Sequence, residues 1–430
     1  MTAAVADAPE APERLAHRDP NVLRWLGAYT ASMIGDSVYF MALAWAAART
    51  GSAAGTGLVL AAGSIPRALL LLGGGVLADR WGPRRVVIGS DTARALVVLC
   101  LAGALVLTTP TVGTLVAVAL VFGAVDALFL PAVGALPPRI TTTGQLARIQ
   151  GLRGLAARGA GIVGAPLGGV AVAAGGPALA FAAAGLLFAL SLPLLLRVRI
   201  GPLPEPAVPA ERLPHDTGAR APSAGQPSTV WHDLVDGLRH IRRHPLLGPL
   251  MLVIAVSELG FIGPLNLGLI LLAKERGWGA AGMGWIVAGF AAGAASAALV
   301  LAVRGRAPRA GLVMCLTVFL GAAGIAALAH VPSVAPAAAI AVLVGLFVGL
   351  GGALCGALVQ TSADPAYLGR VTSVSTLFTY AVAPLSYPVT GAAVALWGTG
   401  PVFAAGAAVC AAGGAAGLAF AGLRRAELPR

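Results

Sequence analysis

The chain has 430 residues, of which 58% are hydrophobic and only 11% are charged, and its formal net charge is +12. A soluble domain carries about 25% charged residues, so this composition excludes a soluble globular protein and predicts a multi-pass membrane protein. The positive charge does not call for a nucleic-acid partner, because membrane proteins concentrate Lys and Arg in their cytoplasmic loops. All but four of the 29 Lys and Arg residues fall in segments that we place on the cytoplasmic side. The four exceptions are Arg49, Arg67, Lys274 and Arg276.

Twelve apolar segments, each near the length of about 20 residues that crosses a bilayer, follow one another along the chain. The first six lie at about 22–48, 54–78, 86–108, 113–136, 151–174 and 177–197. The second six lie at about 246–272, 280–303, 310–330, 334–358, 371–395 and 400–422. We therefore predict an all-α membrane protein with two six-helix halves and both termini in the cytoplasm. Abundant Ala and Gly with a single Lys are typical of a high-GC bacterial genome, so we expect the bacterial inner membrane.

The segments outside the two halves are polar. The predicted boundaries are 1–21 and 423–430 for the cytoplasmic tails, 22–197 and 246–422 for the halves, and 198–245 for the linker. Most of the linker is rich in Pro, Ala and polar residues and cannot bury a core. Its last part, 231–244, has apolar residues at helical spacing with basic residues between them, which predicts an amphipathic helix on the membrane surface. Its basic face suits anionic lipid headgroups, and a regulatory or partner-binding role is the alternative.

Four charged residues fall near the middle of predicted spans: Asp36, Arg67, Asp126 and Glu258. A charge at the centre of a membrane helix costs roughly 2.5–3.5 kcal/mol on insertion scales, so such residues are functional candidates. At about 1.5 Å per residue, all four lie about 16–21 Å from the cytoplasmic helix ends. They therefore share one level, close to the midplane.

Two interpretations of these charges remain open. In the first, one or more of the acids carries a transported proton or binds a cationic substrate. In the second, they form a structural ion pair, most simply Asp36 with Arg67, whose depths match on neighbouring helices. We favour the first for Asp126, which has no cation at its level in its own helix. We also favour it for Glu258, which precedes a predicted helix break at Gly263-Pro264.

The connection between the second and third spans carries the most specific motif, GGGVLADRWGPRRVVIGSDTAR from Gly73 to Arg94. It resembles the cytoplasmic loop between helices two and three of the major facilitator superfamily. The pattern there is Gly-x-Leu-x-Asp-Arg-x-Gly followed by two or three basic residues. The matching residues are Gly75, Leu77, Asp79, Arg80, Gly82, Arg84 and Arg85, and Pro83 stands where the family usually has its first basic residue.

This resemblance implies a fold of two six-helix bundles around a central cavity lined by helices one, four, seven and ten. It also implies a conformational switch, in which Asp79 accepts hydrogen bonds from the N-terminus of helix eleven, near Val371. An acid favours the positive end of a helix dipole. Asp91 and Arg94 either join this cluster or form a simple pair one turn apart. The alternative for the whole motif is a positive loop with no switching role.

The fifth span resembles the glycine- and proline-rich motif of proton-driven exporters, whose family form is Gly-Pro-x-x-Gly-Gly. Here Ala165 replaces the first Gly and only Leu167 separates Pro166 from the paired glycines. The motif residues are Gly161, Gly164, Pro166, Gly168 and Gly169. Close packing by small residues is the alternative. Further stretches that look like bacterial drug and siderophore exporters are Gly35-Asp36, Asp126-Ala127 with Pro131-Ala132, and Gln360 with Gly369-Arg370-Val371.

Together these resemblances imply a proton antiporter that exports a small, largely hydrophobic compound such as a drug, an antibiotic or a secondary metabolite. We expect protons, a small-molecule substrate and membrane lipid as partners, no nucleic acid, and a monomer. We expect no catalytic residues, no metal site and no cofactor, since the energy source would be the proton gradient and there is no Gly-x-x-x-x-Gly-Lys phosphate loop. A nutrient importer or facilitator is the first alternative, but beyond the four charges it has only Asn266, Gln360 and Tyr380. A non-transporting membrane receptor is the second.

Overall fold

Long helices make up almost all of the described chain. The computed structural model describes residues 18–201, 230–304, 309–364 and 367–427, and within them it describes 71–79, 143, 147, 230–235, 302, 304, 368–370 and 373 by backbone only. The predicted tail 1–21 and linker 198–245 therefore lie partly outside the described residues. The linker helix, predicted at 231–244, is observed at Val230–Arg243.

The first half contains α1 to α6. The bounds of the first four are Pro20–Arg49 for α1, Ala53–Trp81 for α2, Pro83–Leu107 for α3 and Val112–Gly134 for α4. The next helix runs without a loop over Leu146–Leu196, but its backbone leaves the helical region at Gly175 and Gly176. We call 146–174 α5 and 177–196 α6. Gly176 has φ +68, and Pro177 is suited to the first position of the helix that follows.

The second half contains α7 to α12. Their bounds are Leu247–Glu275 for α7, Gly279–Arg304 for α8, Ala310–Leu328 for α9, Val334–Ser362 for α10, Leu368–Trp397 for α11 and Thr399–Ala419 for α12. Eleven helices among the described residues are long and apolar enough to cross a membrane. Because one of them is the broken α5–α6 unit, the described chain has twelve spans, and the predicted fold class is confirmed.

The predicted break at Gly263-Pro264 is wrong, because α7 continues through this point as a π-helical turn over Gly263–Gly268. Pro264 lacks an N–H and crowds the preceding turn. Widening the helix by one residue accommodates it, and Leu269 N–H donates to the Pro264 carbonyl. Glu258 therefore lies in an unbroken helix, just before this turn.

The two halves meet along two seams, one between α2 and α11 and one between α5 and α8. We call the end of the bundle at which α1 begins and α6 ends the linker end, and the opposite end the far end. One apolar cluster near the far end combines Met41, Ala44 and Ala165 of the first half with Ile270 and Met283 of the second.

At the linker end, each apolar cluster contains residues of one half only. Close backbone approaches also lie toward the far end: a Cβ on Gly57 would be 2.6 Å from the Tyr387 carbonyl oxygen. Lys274 Nζ donates to the Ala48 carbonyl at 2.6 Å across the halves. The halves are thus packed together at the far end and packed separately at the linker end.

Candidate functional site

A buried cluster of five charged residues occupies the middle of the first half. Its members come from four helices: Asp36 on α1, Arg67 on α2, Asp91 and Arg94 on α3, and Asp126 on α4. We call it the charge network. Such a cluster is costly to bury unless its members are paired with good geometry, so its contacts decide what it can do.

Arg94 is the centre of the charge network. Its Nη1 donates to Asp36 Oδ1 at 2.8 Å and, at the longer distance of 3.5 Å, to Asp126 Oδ1, while its Nη2 donates to Asp91 Oδ1. The guanidinium group lies between two rings, 3.9 Å from the centroid of Phe129 and 4.8 Å from that of Phe188. Planar Arg groups both fork hydrogen bonds to carboxylates and stack on aromatic faces, and Arg94 does both with no exposed surface.

Asp91 is the best satisfied of the three carboxylates. Besides Arg94, it accepts a hydrogen bond from Ser32 Oγ at 2.6 Å. It also contacts Ser191 Oγ, whose single proton is shared with the Phe188 carbonyl at 2.7 Å. These hydroxyl groups come from α1 and α6, so Asp91 ties three helices of the first half together. By these contacts Asp91 has a structural role in the first half.

Asp126 is the least satisfied carboxylate of the network. Arg67 Nη2 lies 2.7 Å from Asp126 Oδ2, but the N–H is not directed along this contact and Oδ2 has no hydrogen-bond donor. Its other oxygen accepts only the 3.5 Å bond from Arg94. Asp126 is 2% exposed, whereas the side chain of Arg67 is 25% exposed. Arg67 thus connects a buried carboxylate to a more open region.

Arg67 also links the charge network to the second half. Its guanidinium carbon lies 5.7 Å from the Phe40 ring centroid and 5.4 Å from that of Tyr380, which belongs to α11. An Arg over an aromatic face is attracted by the ring. Because α2 and α11 form one of the two seams between the halves, this contact places the network beside a surface on which the halves meet.

The network holds three carboxylates and two guanidinium groups, so it carries one negative charge in excess when all are ionised. One carboxyl group can therefore take up a proton while two ion pairs remain. Burying an uncompensated charge costs several kcal/mol, which favours that uptake. Of the three carboxylates, Asp126 accepts the longest hydrogen bond, and among the described residues it is the ionic partner of Arg67.

The ion pair that one interpretation assigned to Asp36 and Arg67 is wrong, because Asp36 pairs with Arg94. Asp126 has no cation in its own helix, but it contacts Arg67 and Arg94 from two other helices. Asp91 and Arg94 do contact each other one turn apart, as one alternative held, but their pair is not isolated. They belong to the buried network.

The reason for this error is the start of α3. We placed it at 86, but the helix begins at Pro83, after Gly82 at φ +83. Arg94 is then about 16 Å into the helix at about 1.5 Å per residue, within the range of depths of the four charges. Pro at the first helical position is a start signal, so the sequence did contain the information. No sequence pattern indicated that Ser32 and Ser191 would contact Asp91.

The loop motif is only partly described. Gly75 and Asp79 are described by their backbone only, so the switch contact assigned to the Asp79 side chain lies outside the described residues. Arg80 and Arg85 are exposed. Arg84 Nη2 donates to the Leu196 carbonyl at 2.7 Å, which is the favourable position for a cation at the C-terminus of α6.

The glycines of the α5 motif lie at helix contacts. A Cβ on Gly164 would be 2.6 Å from Ser37 Cβ of α1, one on Gly168 would be 3.0 Å from Met41 Cβ, and one on Gly169 would be 2.5 Å from the Ala280 carbonyl oxygen of α8. A Cβ on Gly161 has only ordinary contact with Ala291, at 3.5 Å. Pro166 lies against α8, since a Cβ on Gly284 would be 3.0 Å from the Pro166 Cα. These contacts are those of the packing alternative, and the link to exporters stays a prediction.

Glu258 faces a cavity in the second half. The residues that line this cavity differ in character from those of the charge network. The cavity has a volume of about 320 Å³ and is lined by residues of α7, α9, α10, α11 and α12. Glu258 is the only charged residue among the described residues that line it. The polar lining includes Ser257, Thr317, Gln360 and Thr376.

Comparisons with known proteins agree with this architecture. The family model of the Major Facilitator Superfamily matches residues 25–385. No curated protein matches the chain. Three crystal structures resemble it over nearly its whole length. Their sequence identities to this chain are so low that the likeness shows the fold alone.

The first is a mutant of the nucleoside transporter NupG, with a TM-score of 0.67, 13% identity, and coverage of 94% of this chain and 100% of that chain. The second is an auto-inhibited POT family peptide transporter, with a TM-score of 0.67, 15% identity and coverage of 94% and 97%. The third is a bacterial homolog to the human lysosomal transporter Spinster in an inward-facing and occupied conformation. Its TM-score is 0.66, with 14% identity and coverage of 94% and 95%.

Proposed function

This chain belongs to the major facilitator superfamily and is a secondary transporter, not an enzyme, and we propose that it exports a small, largely hydrophobic compound in exchange for protons. The observation that carries the proposal is the charge network, in which three carboxylates share two guanidinium groups. In a network with one carboxylate in excess, protonation of Asp126 leaves Arg94 paired with Asp36 and Asp91 and releases Arg67, the more exposed of the two guanidinium groups.

The coupling that we propose runs through Arg67. When Asp126 is ionised, Arg67 is held at 2.7 Å from its Oδ2. When Asp126 takes up a proton, that attraction is lost and the contacts of Arg67 with Phe40 and Tyr380 remain. Protonation of the first half thereby changes the balance of contacts at the α2–α11 seam, where the halves move relative to each other in alternating access.

The packing of the halves supports a state that is open at the linker end. They share an apolar cluster and a Lys274–Ala48 hydrogen bond toward the far end, whereas the clusters at the linker end belong to one half each. We place the linker end in the cytoplasm of a bacterial cell, with the protein in the inner membrane, because that end carries most of the Arg residues. In this state the transporter would take its substrate from the cytoplasm.

The remaining elements of the proposal are a monomer in the lipid bilayer, the proton gradient as energy source and no cofactor. The importer alternative needs polar side chains that converge on a substrate. Of the three that the sequence offered, only Gln360 lines the cavity at Glu258. Asn266 donates to the Ile262 carbonyl at 2.9 Å, and Tyr380 lies against Arg67.

The test is proton release from everted membrane vesicles, followed with a pH-sensitive dye after addition of hydrophobic drugs. We expect release with the wild type and none with Asp126→Asn. Glu275→Gln, a carboxyl-to-amide change at the far end where Glu275 accepts a hydrogen bond from Thr399, should release protons like the wild type. Drug accumulation in vesicles without any proton movement would overturn proton antiport. Release by Asp126→Asn would instead move the proton to Asp36 or Glu258.

A further inference from the structure

The cavity at Glu258 has a chemical character of its own, and no residue of the first half is among those that line it. We propose that this cavity is the substrate site, and that it selects a primary or secondary ammonium group carried on an apolar body. The inference rests on the proposed function in one respect only, that the bound molecule is the one transported.

The first argument is charge. Glu258 has no ion-pair partner within the described part of the chain, and none of the described residues that line the cavity is Lys, Arg or His. In the charge network of the first half, by contrast, every carboxylate has an Arg within 4 Å. A carboxylate left without a cation by the protein attracts one from a ligand, since a buried, uncompensated charge is costly.

The second argument is hydrogen-bond polarity. Three hydroxyl groups that line the cavity already donate their protons to the backbone: Thr317 to Met314 at 2.7 Å, Thr376 to Thr372 at 2.9 Å and Thr379 to Ser375 at 3.3 Å. A hydroxyl has one proton and two lone pairs, so each of these oxygens has only acceptor capacity left. The Ser257 hydroxyl, next to Glu258, is buried without a partner.

An acceptor-rich cavity recognises hydrogen-bond donors. An ammonium group with N–H bonds supplies both the positive charge that Glu258 lacks and donors for the threonine oxygens. A quaternary ammonium supplies the charge alone. An analogue that lacks N–H donors leaves the polar groups of such a site without hydrogen bonds. Binding of that analogue is then much weaker, because these groups lose their hydration and gain no bond in return.

The third argument is the shape and size of the cavity. Most of its wall is apolar, with Ile254, Phe261, Met314, Val318, Ile325 and Phe347 among the lining residues. Its volume of about 320 Å³ is at the lower end of the roughly 300–1,000 Å³ found for small-molecule sites. The lining residues nearest the linker end, Gln360 and Thr372, are exposed, so the cavity opens there.

Binding to purified protein in detergent, at neutral pH and without a gradient, tests this site apart from transport. The probes are phenylbutylamine, its neutral alcohol phenylbutanol, and the N-trimethylated amine, measured by equilibrium dialysis. We expect wild-type protein to bind the amine about tenfold or more tightly than the alcohol, with the trimethylated form between them. Glu258→Gln should bind amine and alcohol equally well, at the affinity of wild type for the alcohol. Glu275→Gln, the same carboxyl-to-amide change at a residue that does not line the cavity, should keep the preference of the wild type.

Three results would overturn the proposal: no binding of the amine, equal binding of amine and alcohol by wild type, or an unchanged preference in Glu258→Gln. Equal binding of the primary and trimethylated amines would overturn the selection for N–H donors. Thr376→Val, which removes one acceptor and keeps the side-chain shape, is the second variant and should weaken the amine severalfold more than the alcohol. Thermal unfolding of each variant shows that it is folded. Failure of proton release with normal amine binding would refute antiport and leave this site standing.

Discussion

The two halves of the molecule treat buried charge in opposite ways. The first half gathers Asp36, Arg67, Asp91, Arg94 and Asp126 into one network in which aromatic rings and hydroxyl groups surround the ions. In the described part of the second half, Glu258 is the only charged residue away from the helix ends, and it faces a cavity instead of a cation.

In the mechanism that we propose, this difference separates two demands on a proton-coupled transporter. A proton site needs carboxyl groups whose ionised form is almost, but not fully, compensated, and the network provides this with protein groups alone. A substrate site needs an interaction that the protein leaves incomplete until the ligand arrives. The same residue type, a carboxylate, serves either purpose according to whether an Arg lies beside it.

The sharpest test of this contrast is the loss of Arg94. Arg94→Met would leave Asp36 and Asp91 buried without a cation in contact, and breaking a buried pair in this way costs about 3–5 kcal/mol. We expect a large fall in the thermal unfolding temperature of the purified protein. Arg67→Met should cost clearly less, because Arg67 is a quarter exposed and Asp126 keeps Arg94. Equal losses for the two variants would contradict the central role of Arg94.

The second prediction concerns the surface on which the halves meet. Gly57→Leu places side-chain atoms where the Tyr387 carbonyl lies, and overpacking of this kind typically costs 1–3 kcal/mol. We expect the far end to open more often, seen as roughly fivefold or greater faster thiol labelling of a cysteine introduced at Ala44 in a cysteine-free background.

The matched control is Gly103→Leu in α3, where a Cβ would meet nothing within 4 Å. Labelling at Ala44 should then stay at its starting rate. If both variants open the far end alike, the α2–α11 contact is not what holds it closed.

A smaller effect is expected from Lys274→Met, which removes the 2.6 Å hydrogen bond to the Ala48 carbonyl. A hydrogen bond of this kind contributes about 1 kcal/mol, so the labelling rate at Ala44 should rise only a fewfold. Arg276→Met serves for comparison, because Arg276 binds the Ala329 and Val331 carbonyls within its own half. A rise with Arg276→Met as large as with Lys274→Met would show that the bond between halves has no special part.

The smallest effect is expected from Glu258→Gln. Since Glu258 has no described ionic partner to lose, its neutral amide should change the free energy of unfolding by less than about 1 kcal/mol, and a slight gain is consistent with removal of an unpaired charge. Thermal unfolding beside Arg94→Met measures the contrast. A destabilisation close to that of Arg94→Met would mean that Glu258 is held by a partner, and the comparison between the halves would fail.

Sequence patterns were sufficient for the fold, because a span of about 20 apolar residues has few alternatives in a bilayer. They also placed Asp36, Arg67 and Asp126 at one depth, since depth follows from position along a helix. They did not pair these residues correctly. Pairing depends on the rotation of each helix about its axis and on which helices are neighbours. A three-residue error at Pro83 left Arg94 out of the set of charges near the midplane. The cavity at Glu258 depends on distances between α7, α10 and α11, which no local pattern encodes.

The α5–α6 junction at Gly176 is one of several short connections between helices at the far end. The connections there are 50–52, 108–111, 175–176, 276–278, 329–333 and Gly398 alone, so none exceeds five residues. A protease acting from that compartment would find no segment long enough to enter its cleft, and an antibody would find only a shallow epitope. Affinity tags, reporter domains and crystallisation chaperones for this protein therefore belong at the linker end, where the longer connections between helices lie.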